Sequence, residues 1–168
     1  MEKTRSVVIS DAGPLIHMDE LNIQEIWAQF SQVLVPTEVI KEVVKYRGAD
    51  WKNKIPNLKV VYNLPLDPTV TSLSKVFSLH TGEQYALSLM LEYQHAIFLT
   101  DDSAARLASN QLGFKVHGSI GIIIRSLRAG LKTKEEIIEI LEAIPENSSL
   151  YIKKALLNKI IFDLKEGL

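Results

Sequence analysis

Short, wholly apolar runs alternate along this chain with longer stretches whose apolar positions recur every three or four residues. Ser6 to Ser10 is apolar and β-branched and stops at Asp11-Ala12-Gly13-Pro14, the pattern of a buried strand closed by turn residues. Leu15 to Phe30 carries Leu15, Ile16, Leu21, Ile23, Ile26, Trp27 and Phe30, which predicts helical pieces. Gln32 to Val35 is a second short strand, ended by Pro36. Thr37 to Tyr46 predicts a helix with Val39, Ile40, Val43 and Val44 on its apolar face and Pro36 near its first turn. Arg47 to Pro56 is polar and reads as loop, and Leu58 to Tyr62 reads as an edge strand. Asn63 to Leu79, rich in prolines and hydroxyls, reads as a long connection with one helical turn.

The second half is more sharply punctuated. Thr81-Gly82-Glu83-Gln84 fits a capping box, and the helix it opens runs to Tyr93. Ala96 to Thr100 is an apolar strand ending in Asp101-Asp102. Ser103 to Leu112 is a helix closed by Gly113. Phe114 to His117 is another short strand, and Gly118-Ser119 caps an apolar helix from Ile120 to Ala129, stopped by Gly130. Thr133 to Glu136 is a second capping box, opening a helix to Ala143; Pro145 to Ser149 breaks the chain, and Tyr151 to Lys165 is a final helix. Fully apolar strands separated by helices argue a mainly parallel sheet covered on both faces, a three-layer α/β/α sandwich. The expected organisation is one domain over residues 1–168, with an α/β core to residue 130 and a helical appendage from 131 to 168.

Composition narrows the chemistry. The 168 residues hold 19 Lys plus Arg against 20 Asp plus Glu, a net charge of −1, so no global positive field marks a nucleic-acid binder. With no cysteine, thiolate nucleophiles, thiolate zinc sites, iron–sulfur clusters and redox switching are excluded. The longest apolar runs, such as Ile120 to Ile124, fall far short of the ~20 residues that span a bilayer. The leading Met1 to Arg5 lacks the apolar stretch of a signal peptide, so a cytoplasmic protein is expected.

Two apolar strands end directly in aspartate, at Ser10-Asp11 and at Thr100-Asp101-Asp102. Ligands of open α/β sheets bind outside the carboxyl ends of the strands, so neighbouring, parallel strands would bring these acids to one edge. Glu42, on the helix after the second strand, and Glu83, in the first turn of the helix before the later strand, can join them. A cluster of four or five carboxylates repels itself unless protons or cations neutralise it. Oxygen-only ligands select hard cations, Mg²⁺ or Mn²⁺, which serve phosphoryl chemistry. Each acid also has an ordinary reading: Asp11 as a turn residue, Asp101 or Asp102 as the cap of the Ser103 helix, Glu83 favoured by a helix dipole, Glu42 and Glu38 solvated.

Four segments, SDAGPLIHMDEL, VPTEVIKEV, TGEQYALSLM and LTDDSAARLASNQLGFKVHGSIGII, occur in the order seen in PIN domains, and the chain most resembles PIN-like proteins related to VapC-type toxins. The resemblance covers roughly residues 6–130, and the helical tail is similar too. It implies a metal-dependent endoribonuclease using Mg²⁺ or Mn²⁺. By position, Asp11, Glu42, Glu83 and Asp102 match the family's acids, with Asp101 assisting, and Thr100 matches its threonine. Asp11, Glu83, Asp101 and Asp102 are the metal ligands this implies, and Thr100 and Arg106 the substrate contacts. Two departures stand out: Glu83 occupies a place more usually Asp, and Ala105 stands where a further acid often follows. A PIN-like module that binds RNA or protein without catalysis is therefore the alternative. The resemblance further implies RNA as substrate, a small antitoxin as partner, and a homodimer, with Ile120–Ile124 and Ala155–Ile161 as candidate contacts.

Other constellations carry less. His17, His80, His95 and His117 lack i, i+4 metal spacing and read as structural or exposed. There is no Gly-x-Ser-x-Gly elbow and no phosphate loop. Arg106, four residues after Asp102, reads either as its ion-pair partner on the helix or as a phosphate-steering group. Arg125, Arg128, Lys132 and Lys134 form a modest basic group near a helix end.

Overall fold

The computed structural model describes residues 5–167. The first four residues, most of the Met1 to Arg5 stretch read for a signal peptide, lie outside the described residues. Five strands form one sheet: β1 (Val7–Ser10), β2 (Gln32–Pro36), β3 (Leu58–Val61), β4 (Ile97–Leu99) and β5 (Lys115–His117). Their order is β3-β2-β1-β4-β5 and every pairing is parallel. Val8, Ile9, Val33, Leu34, Val35, Phe98 and Leu99 are all fully buried, consecutively rather than alternately, because helices cover both faces.

Among the described residues the eight α-helices are α1 (Ala12–Glu20), α2 (Thr37–Arg47), α3 (Pro68–Phe77), α4 (Thr81–Glu92), α5 (Ser103–Gln111), α6 (Ser119–Arg128), α7 (Lys134–Asn147) and α8 (Lys154–Glu166). The sheet order reverses at β1. Right-handed crossovers then put the connections from β1 to β3 on one face and those from β3 to β5 on the other. Accordingly α1 packs on α2 and α6, while α3 packs on α4 and α5. α2 also meets α4, which brings the helix of Glu42 beside the helix of Glu83. The architecture is the three-layer α/β/α sandwich expected, with α7 docked on α6 and α8 on α7. No described helix is long and apolar enough to cross a membrane.

Four local expectations are corrected. Asp11 to Pro14 is no separate turn: Asp11 caps α1, and Pro14 sits in its first turn, where a missing N–H costs nothing. The connection after β3 holds a full helix, α3; Asp67 accepts from the Thr69 N–H and Pro68 opens the first turn, a start signal masked by the prolines and hydroxyls around it. α7 runs through Pro145 to Asn147, since the proline forfeits one bond near the helix end while Leu141 and Ile144 stay buried. α8 begins only at Lys154, because Ser148 and Ser149 are drawn to the Glu20 carboxylate and the chain leaves that anchor extended.

Candidate active site

β1 and β4 lie side by side, with Ser10 opposite Leu99, and the Asp11 N–H donates to the Leu99 carbonyl at 2.9 Å. Both strands thus end at the point where the sheet order reverses, the position at which open α/β sheets form a ligand crevice. Asp11 sits at that point as the N-cap of α1. Its Oδ1 accepts the Ala12 N–H at 2.8 Å and its Oδ2 accepts the Thr100 hydroxyl at 3.1 Å. The side chain is almost sealed from water, the residue being 6% exposed. Burial pushes its carboxyl up to about 7; the charges of Glu83 and Glu42 push the same way, and the Ala12 and Thr100 bonds oppose them.

Glu83 is also buried, in the first turn of α4. The N-cap there is His80, one residue before the expected Thr81, because Glu83 Oε2 accepts the His80 N–H at 2.8 Å. Burial raises the Glu83 carboxyl above its ordinary range, the His80 N–H lowers it, and the charge of Asp102 raises it again. Asp102 caps α5: its Oδ1 accepts the Ala105 N–H at 2.8 Å, and its own N–H donates to the Thr100 hydroxyl oxygen at 3.1 Å. Thr100 is therefore a link between the two aspartates. It is fully buried.

Glu42 approaches from α2 and is exposed. Gly82 separates it from Asp11: a Cβ at Gly82 would lie 3.1 Å from Glu42 Oε2 and 3.8 Å from Asp11 Oδ1. Asp11 feels the charges of Glu83 and Glu42, and Glu83 that of Asp102, so the four acids lie within electrostatic reach of one another near this edge. Among the described residues no three His, Cys, Asp or Glu side chains stand close enough together to hold a metal ion. What fits a hard divalent cation is the donor chemistry, oxygen only, with the Asp11 and Glu83 carboxyls both raised by burial and by neighbouring acids.

Asp101 reaches the same edge but turns away. Its Oδ1 accepts the Ser119 N–H at 2.7 Å, and its Oδ2 accepts the Ser119 hydroxyl at 2.5 Å and meets His17 Nδ1 at 2.8 Å. Burial would raise this carboxyl, but the His17 and Ser119 bonds outweigh it and hold it low. The set ties α1, the end of β4 and the start of α6 together. Neither His17 nor Ser119 stood out in the sequence, since their contacts with Asp101 span 84 and 18 residues and no spacing rule links them. The imidazole thus has the structural role expected of it, and the other three histidines are exposed.

Arg106 makes no ion pair with Asp102; its Nη2 donates to the Thr100 carbonyl at 3.3 Å, which keeps the guanidinium beside the acids. The basic group near α6 also divides: Lys132 is neutralised by Glu25 and Glu136, whereas Arg125 and Arg128 have no carboxylate within reach among the described residues.

A family model described as PIN domain matches residues 7–166, nearly the whole chain. The chain belongs to the PIN domain family. The match runs through α7 and into α8, so the helical tail lies within the region that the family model matches, beyond the core that the short motifs covered. The PIN domain is a nuclease fold, and in this PIN domain Asp11 directly follows β1, and Asp101 and Asp102 follow the neighbouring β4. No curated protein sequence matches the chain.

Proposed function

We propose that this PIN domain is a metal-dependent endoribonuclease whose ligand set is Asp11, Glu42, Glu83 and Asp102. The observation that carries the reading is the buried Asp11 carboxyl, pushed up to about 7 and flanked by further acids at the end of β1. A group so placed is costly unless a cation joins it. Mg²⁺ or Mn²⁺ bound there supplies charge neutralisation at a scissile phosphate and activation of the attacking water. The chain's own residues do the rest. Thr100 fixes the spacing of Asp11 and Asp102; Arg106, held by the Thr100 carbonyl, offers a guanidinium to the phosphate; Asp101, bound to His17 and Ser119, positions the loop that carries Asp102.

The second reading, a PIN-like module that binds without cutting, is favoured by the buried Ala105 in place of a further acid and by the fact that no three His, Cys, Asp or Glu side chains among the described residues are grouped to hold a metal ion. Calorimetric titration with Mg²⁺ and Mn²⁺ separates the two. Binding that vanishes in Asp11→Asn supports the nuclease; no binding at millimolar metal supports the module.

A role in the cytoplasm as the toxin of a toxin–antitoxin pair, held as a homodimer, completes the proposal. Of the two apolar segments considered for contacts, Ile122 and Ile123 are buried in the core, and Leu156 is the exposed large apolar side chain of the second segment, with Tyr151 and Phe162 near it in sequence. Light scattering that finds only an 18.9 kDa species contradicts the dimer.

A further inference from the structure

Two concavities lie along α6, one of them reaching Asp101. One, of about 390 Å³, is lined by Asp101, Arg106, Gly118 and the start of α6. The other, of about 730 Å³, follows the outer face of α6 past Arg125 and Arg128 to Arg5. His117 and Gly121 line both, so the two meet there and form one path leading from Asp101 along the helix.

Beyond Asp101 at its start, the only charged residues lining the described path are arginines. Arg106, Lys115 and Arg125 surround His117, and together with burial, the larger effect, their charges hold its imidazole below the usual range. Among the described residues none of Arg5, Arg106, Lys115, Arg125 and Arg128 has a carboxylate within 4.0 Å, although the chain as a whole is net negative. Arg125 is fixed rather than waving: its guanidinium stacks 5.2 Å from the Phe30 ring and donates to the Ser6 hydroxyl. Ile124 and Leu131 add apolar wall between the cations. Cations at intervals along a groove with apolar surface between them suit a nucleic-acid single strand, whose phosphates and base faces alternate in the same way.

We propose that the α6 groove is a binding track for single-stranded RNA, in which Arg125 and Arg128 hold phosphates of the strand on one side of the cleavage point. The inference rests on the ribonuclease reading for the choice of RNA. At ~1.5 Å of rise per residue, Arg125 and Arg128 lie on the order of 10–15 Å along the helix from Gly118. At ~3.4 Å per stacked nucleotide that is roughly three to four nucleotides. Oligonucleotides reaching beyond that length use the groove; shorter ones do not.

The test is fluorescence anisotropy of a labelled 12-nucleotide single-stranded RNA in EDTA across a salt series. For single strands the logarithm of affinity falls with the logarithm of salt at about 0.7 per phosphate contact. The pair Arg125→Gln plus Arg128→Gln should lower that slope by about 1.4 and weaken binding at 0.15 M salt roughly tenfold. Lys134→Gln, a neighbouring cation outside the groove lining, should leave both near wild type. No binding by the wild type, an unchanged slope in the double variant, or an equal effect of Lys134→Gln overturns the groove. Cleavage is read separately with Mn²⁺. Cleavage with unchanged binding in the arginine variants removes the groove and keeps the nuclease. Arginine-dependent binding without cleavage by the wild type keeps the groove and removes the nuclease.

Discussion

Replacing Asp11 by Asn should stabilise the metal-free protein at neutral and alkaline pH. Asp11 is ionised in the unfolded chain near its ordinary 3.8 but only near 7 when folded. Between those values the folded state holds a proton that the unfolded state has lost, so stability falls as pH rises through the window and stays low above it. The gap is about three pH units at ~1.4 kcal/mol each, or on the order of 4 kcal/mol. Asn retains a carbonyl oxygen for the Ala12 N–H and an amide that can face the Thr100 hydroxyl, so the cap survives while the charge does not. At roughly 2–4 °C per kcal/mol for a domain of this size, the variant should melt about 10 °C higher at pH 8. The two proteins should converge near pH 4. The assay is thermal or urea unfolding of both proteins in EDTA from pH 4 to 8. A variant no more stable at pH 8, with the same slope between pH 4 and 7, would show that Asp11 does not carry the burial cost assigned to it.

Four other outcomes follow from the same geometry. Gly82→Ala should push Glu42 by a few tenths of an ångström, leave stability unchanged or up to ~1 kcal/mol higher by helix propensity, and lower metal-dependent cleavage roughly tenfold; melting and a cleavage assay read the two effects. Thr100→Val strips one bond from Asp11 and one from the Asp102 N–H, so it should cost about 1–3 kcal/mol in urea unfolding and raise the Asp11 carboxyl further, as a side-chain pH titration would show. Asp19, buried and bonded to Arg47, Lys54 and Gln24, is held below 3.8 although burial opposes this. Its contribution is present above pH 4 and lost as pH falls through its folded value, and Asp19→Asn should cost about 2 kcal/mol at pH 7 in urea unfolding. Ser119→Ala removes two of the contacts that steady Asp101 and His17; it should cost ~1–2 kcal/mol and lower cleavage through misplacement of the Asp102 loop, which kcat rather than KM should report.

The layered sheet was legible because its strands are short, apolar throughout and separated by amphipathic segments, a pattern that only burial on both faces explains. The neighbouring ends of β1 and β4 were legible for the same reason: each apolar run stops on an aspartate. What the chain concealed was long-range pairing. Nothing in its local pattern ties His17 to Asp101, or tells that Arg106 bonds the Thr100 carbonyl instead of Asp102. α3 was hidden because Asp67-Pro68 is at once a turn signal and a helix start, and only the packing of Val70 decides between them. The His80 cap was hidden because two registers of one residue's difference both offer a side chain that can reach back, Glu83 or Gln84.

The central claim is that these acids form a metal-dependent site for cutting RNA. Its most direct test incubates single-stranded RNA with the wild type and with Asp11→Asn, each with Mn²⁺, with Mg²⁺ and with EDTA, after both proteins are shown to be folded. Cleavage by the wild type with metal, abolished by EDTA and reduced at least a hundredfold in Asp11→Asn, is the result expected of a ligand acid at the reacting phosphate. Equal cleavage by the two proteins, or cleavage that persists in EDTA, would contradict it.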